Sequence, residues 1–168
     1  MREKIDILVS KATKIAEKIK ATPGKIRIIS HYDADGITSA AIMVKAFIRE
    51  GRDFHLTLIK QLSEDIITQL ADEKNGIIMF LDLGSGQLDL IQKYLVKEGR
   101  VIVVADHHQI QGDAPSVLHI NPVNFGITEN ISGSGMSYLL ARAMGPHNTD
   151  LSELAIIGAI GDSQIGSI

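Results

Sequence analysis

A chain of 168 residues amounts to about one domain, long enough to bury a single apolar core. Its 45% apolar and 22% charged residues exclude a disordered or fibrous protein, and its lack of cysteine excludes a disulfide framework and thiolate metal ligands. The net charge of −3 is unevenly spread, with eight Lys and Arg against three acids in residues 1–27 and nine against seventeen in the remaining 141.

The N-terminal segment MREKIDILVSKATKIAEKIK is charged throughout, unlike a signal core, and no apolar run is long enough to span a bilayer, so a cytoplasmic protein is expected. Within that segment Ile5, Leu8, Ala12, Ile15 and Ile19 recur at helical spacing. This predicts an amphipathic helix with a solvated basic face, ended by Pro23-Gly24. A strand at 25–30 then runs into His31-Tyr32-Asp33-Ala34-Asp35-Gly36, followed by a helix at 36–50 closed by Gly51. The unit repeats as strand 54–59, helix 63–71, strand 76–81, helix 87–97 and strand 100–105. A loop, a short strand at 117–120 and helices at 135–144 and 151–160 complete the pattern.

Strands alternating with helices of this length require right-handed crossovers. The expected fold class is therefore α/β: a doubly wound, mostly parallel five-stranded sheet with helices on both faces. Residues 163–168 are too few for another element, so 1–168 is read as one domain cut from a longer protein.

Three apolar runs each stop at a polar cluster: IRIIS at His31, IIMFL at Asp82-Leu83-Gly84, and VIVVA at Asp106-His107-His108. In parallel strands these clusters line one sheet edge, the edge at which open α/β sheets bind ligands. An extended backbone would send His31, Asp33 and Asp35 to one face, where they could converge on a cation, although either acid could instead cap the following helix. Asp82 alone could be a turn former. Two adjacent histidines after a buried strand suit metal ligation and proton transfer more than packing. Asp162 ends an apolar helix, where the helix dipole disfavours an acid unless a cation compensates.

Together His31, Asp33, Asp35, Asp82, His107 and Asp162 offer four carboxylates and two imidazoles. That set suits two divalent ions about 3.5–4 Å apart bridged by a carboxylate, the arrangement that hydrolyses phosphate esters. Oxygen and imidazole ligands favour Mn²⁺, with Mg²⁺ as the alternative. The run Ser132-Gly133-Ser134-Gly135 opens a helix, so Ser134 and Gly135 are candidates to offer N–H groups to a phosphate, or simply form a flexible cap. His55, His119 and His147 belong to no cluster and read as structural or surface residues.

The blocks HYDADGITSA, LDLG, VADHHQ and GAIGD, in this order, resemble the four motifs of the DHH phosphoesterase family, and DADGITSA resembles its RecJ-like branch, archaeal type included. The resemblance implies a Mn²⁺-dependent exonuclease of single-stranded DNA or RNA, using two-metal hydroxide attack, with roles in DNA repair and replication and partners such as GINS. It implies that Asp33, Asp35, Asp82, His107 and Asp162 ligate two ions with Asp82 as the bridge, and that His31 fills a position at which branches differ. Asp106 would orient the histidines and His108 would contact the scissile phosphate. A C-terminal substrate-binding domain usually follows in the family. Within the same chemistry, a nanoRNase, a cyclic-dinucleotide phosphodiesterase or a manganese pyrophosphatase are alternatives. A ligand-free replication scaffold is a further one, and a haloacid-dehalogenase-like reading of DADGIT would need a later lysine and acidic pair in place of the two histidines.

Overall fold

The computed structural model describes residues 2–127 and 131–163, and its central strands are the apolar runs of the sequence, buried on both faces as parallel strands are. In chain order the elements are α1 (Arg2–Ala21), β1 (Ile26–His31), α2 (Ala34–Arg49), β2 (Phe54–Ile59), α3 (Glu64–Ala71) and β3 (Ile77–Leu81). They continue with α4 (Leu88–Leu95), β4 (Val101–Ala105), β5 (Leu118–Ile120), α5 (Gly133–Met144) and α6 (Ser152–Gly161). Residues 164–168, expected to add no element, lie outside the described residues.

All strand pairs are parallel and the order is β2-β1-β3-β4-β5. The alternation of each strand divides the core in two. Ile26, Ile28, Met79, Leu81, Val103 and Ala105 face α1, α2 and α5, while Ile29, Ile78, Phe80, Ile102 and Val104 face α3 and α4. Each fully buried Leu, Ile or Phe stabilises the fold by about 1.5–3 kcal/mol relative to exposure. Helix α6 packs on α2 and α5. Among the described residues no helix is long and apolar enough to cross a membrane.

The chain leaves β1 for the outer strand β2, then returns to the other side of β1 to form β3. This reversal opens a crevice between the carboxyl ends of β1 and β3, where ligands of doubly wound sheets bind. His31 ends β1 and Asp82 directly follows β3, so the topology alone brings two of the clusters together.

Candidate metal centre

The first cluster does not converge by strand alternation. Strand β1 ends at His31, Asp33 is the N-cap of α2, and Asp35 lies inside the first helical turn. The expected extended geometry over His31, Asp33 and Asp35 is thus replaced by a turn, because the Asp33 carboxylate caps the helix two residues earlier than its predicted start. Asp33 caps the helix with one oxygen and turns the other toward His31. Its Oδ1 accepts from Gly36 N–H at 2.9 Å, while Oδ2 lies 2.8 Å from His31 Nδ1. The turn is so tight that a Cβ on Gly36 would meet the His31 carbonyl.

Asp82 sits at the centre of the crevice. It is 1% exposed and holds a left-handed backbone, φ 56°, a conformation uncommon outside glycine and tolerated mainly by Asn and Asp. Its two oxygens look to opposite sides: Oδ2 is 3.5 Å from His31 Nδ1, and Oδ1 is 3.3 Å from His107 Nε2. Burial pushes the Asp82 carboxyl up to about 7, with the nearby Asp35 charge adding to the shift and His107 opposing it.

The third cluster is organised by Asp106, which is fully buried at the end of β4. Its Oδ1 accepts from the backbone N–H groups of His107 and His108, at 2.8 and 3.2 Å, and from His108 Nδ1 at 2.7 Å. Its Oδ2 accepts from Ser85 N–H at 2.9 Å. Burial works against the Asp106 charge, yet the His108 ring and Ser85 hold its carboxyl well below the usual carboxylate range. The same bond to Asp106 raises His108 to about 9. Burial disfavours a charge on His107, but its contact with Asp82 leaves its pKa raised.

The fourth motif closes the site from α6. Asp162 caps that helix, and its Oδ2 lies 3.7 Å from His107 Nε2, as does Asp35 Oδ2. Asp35, 2% exposed, is held by the start of α5, accepting from Gly133 N–H at 2.6 Å and Ser134 N–H at 2.9 Å. Gly135 N–H donates to the Ser132 side chain at 3.1 Å. The amides of Ser134 and Gly135 are therefore committed within the protein, and Ser134 is fully buried, so their expected contact with a phosphate does not fit this geometry. The helix N-terminus holds a carboxylate of the chain instead.

The residues fit divalent cations. Among the described residues His31 Nδ1, both Asp82 oxygens and His107 Nε2 are buried without a well-formed hydrogen bond, although the two rings lie 3.5 and 3.3 Å from the Asp82 oxygens. Buried polar atoms are rarely left so, and a cation would satisfy them together. Ligand atoms of His31, Asp33 and Asp82 lie within 4.8 Å of one another, as do those of Asp35, His107 and Asp162, and those of Asp82, His107 and His108. Sequence reasoning missed Ser85, Asn121 and His119, which stand behind Asp106, and Gly133, which packs on Asp82. Ser85 and Asn121 carry no local pattern that marks them.

With this geometry in hand, the family model described as "DHH family, N-terminal domain" matches residues 25–161. An uncharacterized protein of Methanocaldococcus jannaschii is 37% identical over 98% of this chain and 39% of its own length. The single-stranded-DNA-specific exonuclease RecJ of Thermus thermophilus is 27% identical over 82% of this chain and 22% of its own. The chain thus spans well under half of these curated relatives. The crystal structure of Thermus thermophilus RecJ in complex with Mn²⁺ superposes with a TM-score of 0.75 at 24% identity, over 92% of this chain and 24% of that one, a likeness of fold.

Proposed function

The chain belongs to the DHH family, whose N-terminal domain it carries, and from that premise we propose that it is a Mn²⁺-dependent phosphodiesterase, a RecJ-like exonuclease acting on single-stranded DNA or RNA. The observation that carries this reading is Asp82, whose two buried oxygens, without a well-formed hydrogen bond, face His31 on one side and His107 on the other. His31, Asp33 and Asp82 would hold one Mn²⁺ and Asp35, His107 and Asp162 the other, with Asp82 between them. Bound there, the ions supply Lewis-acid charge to a phosphodiester and lower the pKa of a water to the neutral range.

The chain's own residues do the rest. Asp106 holds His108 Nδ1, and His108 lines a cavity of about 340 Å³ with His31, Lys60 and Asp82. In the metal-free chain the bond to Asp106 raises His108 to about 9, and with Nδ1 held there Nε2 is the ring nitrogen left to offer an N–H to a non-bridging phosphate oxygen. A fixed cationic donor aimed at developing negative charge is worth about 10²–10³ in kcat. The likeness to RecJ supports single-stranded nucleic acid as the substrate.

The test is Mn²⁺-dependent release of mononucleotides from an end-labelled short single-stranded oligonucleotide, with Asp82→Asn in parallel. Asn tolerates the left-handed backbone there but removes the charge. Release that vanishes in the variant upholds the reading and the labelled end gives the polarity. Preferential turnover of dinucleotides, cyclic dinucleotides or pyrophosphate moves the substrate to another branch, and no turnover of any of them sinks the enzymatic reading.

A further inference from the structure

Behind the Asp106-His107-His108 segment lies a hydrogen-bond chain that belongs to none of the candidate ligands and runs from buried Ser85 and Asn121 out to half-buried His119 and exposed Asn124. Ser85 and Asn121 are both fully buried. Asn121 Nδ2 donates to Ser85 Oγ at 3.0 Å and to the His108 carbonyl at 2.9 Å. Ser85 Oγ is also 3.0 Å from His119 Nε2, and Asn124 Nδ2 is 3.2 Å from His119 Nδ1.

The directions of these bonds follow from the groups. An amide nitrogen only donates, so His119 Nδ1 accepts from Asn124 and, in a neutral ring, Nε2 carries the hydrogen. Burial lowers the pKa of His119 and so favours that neutral ring. Nε2 therefore donates to Ser85 Oγ. Ser85 Oγ thus accepts from both Asn121 and His119, while the Ser85 backbone N–H donates to Asp106 Oδ2 at 2.9 Å. Hydrogen bonds therefore tie Asn124 through His119 to the Ser85 side chain, the Ser85 backbone N–H holds Asp106 Oδ2, and Asp106 Oδ1 holds His108 Nδ1.

We propose that His119 is a positioning residue for His108: acting through Ser85, it fixes the rotation of the Asp106 carboxylate and thereby the direction in which His108 presents Nε2 to a phosphate. A histidine kept only for packing would need neither the Asn124 donor nor the Ser85 acceptor. The kinetic consequence rests on the phosphodiesterase reading, whereas the geometric consequence does not.

The experiment uses the full chain and has two arms. In the first, Mn²⁺-dependent cleavage of the end-labelled oligonucleotide is measured for His119→Phe, His119→Gln, Ser85→Ala, His108→Ala and His108→Ala combined with His119→Phe. His119→Phe and Ser85→Ala are expected to lower kcat about 10–100-fold, with KM and Mn²⁺ affinity unchanged. Gln, whose Nε2 also donates, is expected to recover most of the loss. The double variant should be no slower than His108→Ala, because non-additivity marks action through one group. An effect that adds in full to His108→Ala, or that Gln does not rescue, overturns the proposal.

In the second arm, imidazole ¹⁵N spectra of the metal-free protein report the rings directly. The wild type is expected to show His119 protonated at Nε2, and both His119→Phe and Ser85→Ala are expected to shift the His108 ring nitrogens. Unchanged His108 signals in either folded variant overturn the proposal. Shifted signals without any cleavage uphold it and place the failure on the phosphodiesterase reading.

Discussion

Helix α5 begins in direct contact with the central carboxylate: a Cβ on Gly133 would lie 2.6 Å from Asp82 Oδ1 and 2.9 Å from Asp82 Cα. The backbone at Gly133 also donates to Asp35, so one residue borders both candidate cation positions. Gly133→Ala must move Asp82 or α5, and such overpacking costs about 1–3 kcal/mol. We expect Mn²⁺ affinity to fall at least about tenfold, measured by calorimetry, alongside a lower unfolding temperature. Gly86→Ala, whose Cβ would meet nothing within 4 Å, should unfold within about 0.5 kcal/mol of wild type. Wild-type Mn²⁺ affinity in folded Gly133→Ala would show that the contact does not set the site.

Asp82 is a buried carboxylate whose charge is costly until a cation meets it, as its pKa near 7 records. Asp82→Asn removes that charge and keeps a residue suited to φ 56°. In EDTA at pH 8 the variant should unfold at the wild-type temperature or above it. Saturating Mn²⁺ should stabilise the wild type, by about 2.7 kcal/mol at a concentration 100 times Kd, and leave Asp82→Asn unmoved. A Mn²⁺-dependent rise in the variant equal to that of the wild type would remove Asp82 from the ligand set.

His119 gives the metal-free protein a pH dependence of defined sign. Burial lowers its pKa below the ordinary 6.5, so below that pH the unfolded chain binds more protons at this position than the folded one. Its contribution to stability is therefore complete above pH 6.5 and is lost as pH falls through the folded value. Urea unfolding from pH 7.5 to 5 should show wild type losing stability faster than His119→Gln over that interval. Parallel curves would mean that His119 titrates in the folded protein as it does in the unfolded chain.

The strands IIMFL and VIVVA and the clusters that follow them are local patterns, so their existence and shared edge are legible from residue order. The strand order is not, because pairing β1 with both β2 and β3 is a long-range choice that leaves no mark within either strand. Asp35 was legible as a candidate ligand but not in its geometry: whether it extends β1 or enters α2 depends on the Asp33 cap and on amides 98 and 99 residues away. Those same amides explain why the small-residue run before α5, which reads locally as an anion-binding cap, serves a carboxylate of the chain itself. His119 read as a bland histidine because its meaning depends on Ser85, which lies 34 residues away.

Two of the acids also separate stability from metal binding. Asp35 accepts two buried backbone N–H groups, and Asp35→Ala leaves both without a partner, at about 1–3 kcal/mol each. Asp162 stands at the edge of the site with its side chain 32% exposed, within 3.7 Å of His107, so its removal opens no cavity in the core. Asp162→Ala should therefore unfold close to wild type, within about 0.5 kcal/mol. It should nonetheless bind Mn²⁺ at least about tenfold more weakly. Asp35→Ala should lose several kcal/mol in urea unfolding before any metal is added. Equal metal-free stabilities for the two variants would show that the Asp35 bonds to α5 contribute nothing net, and would recast Asp35 as a ligand alone.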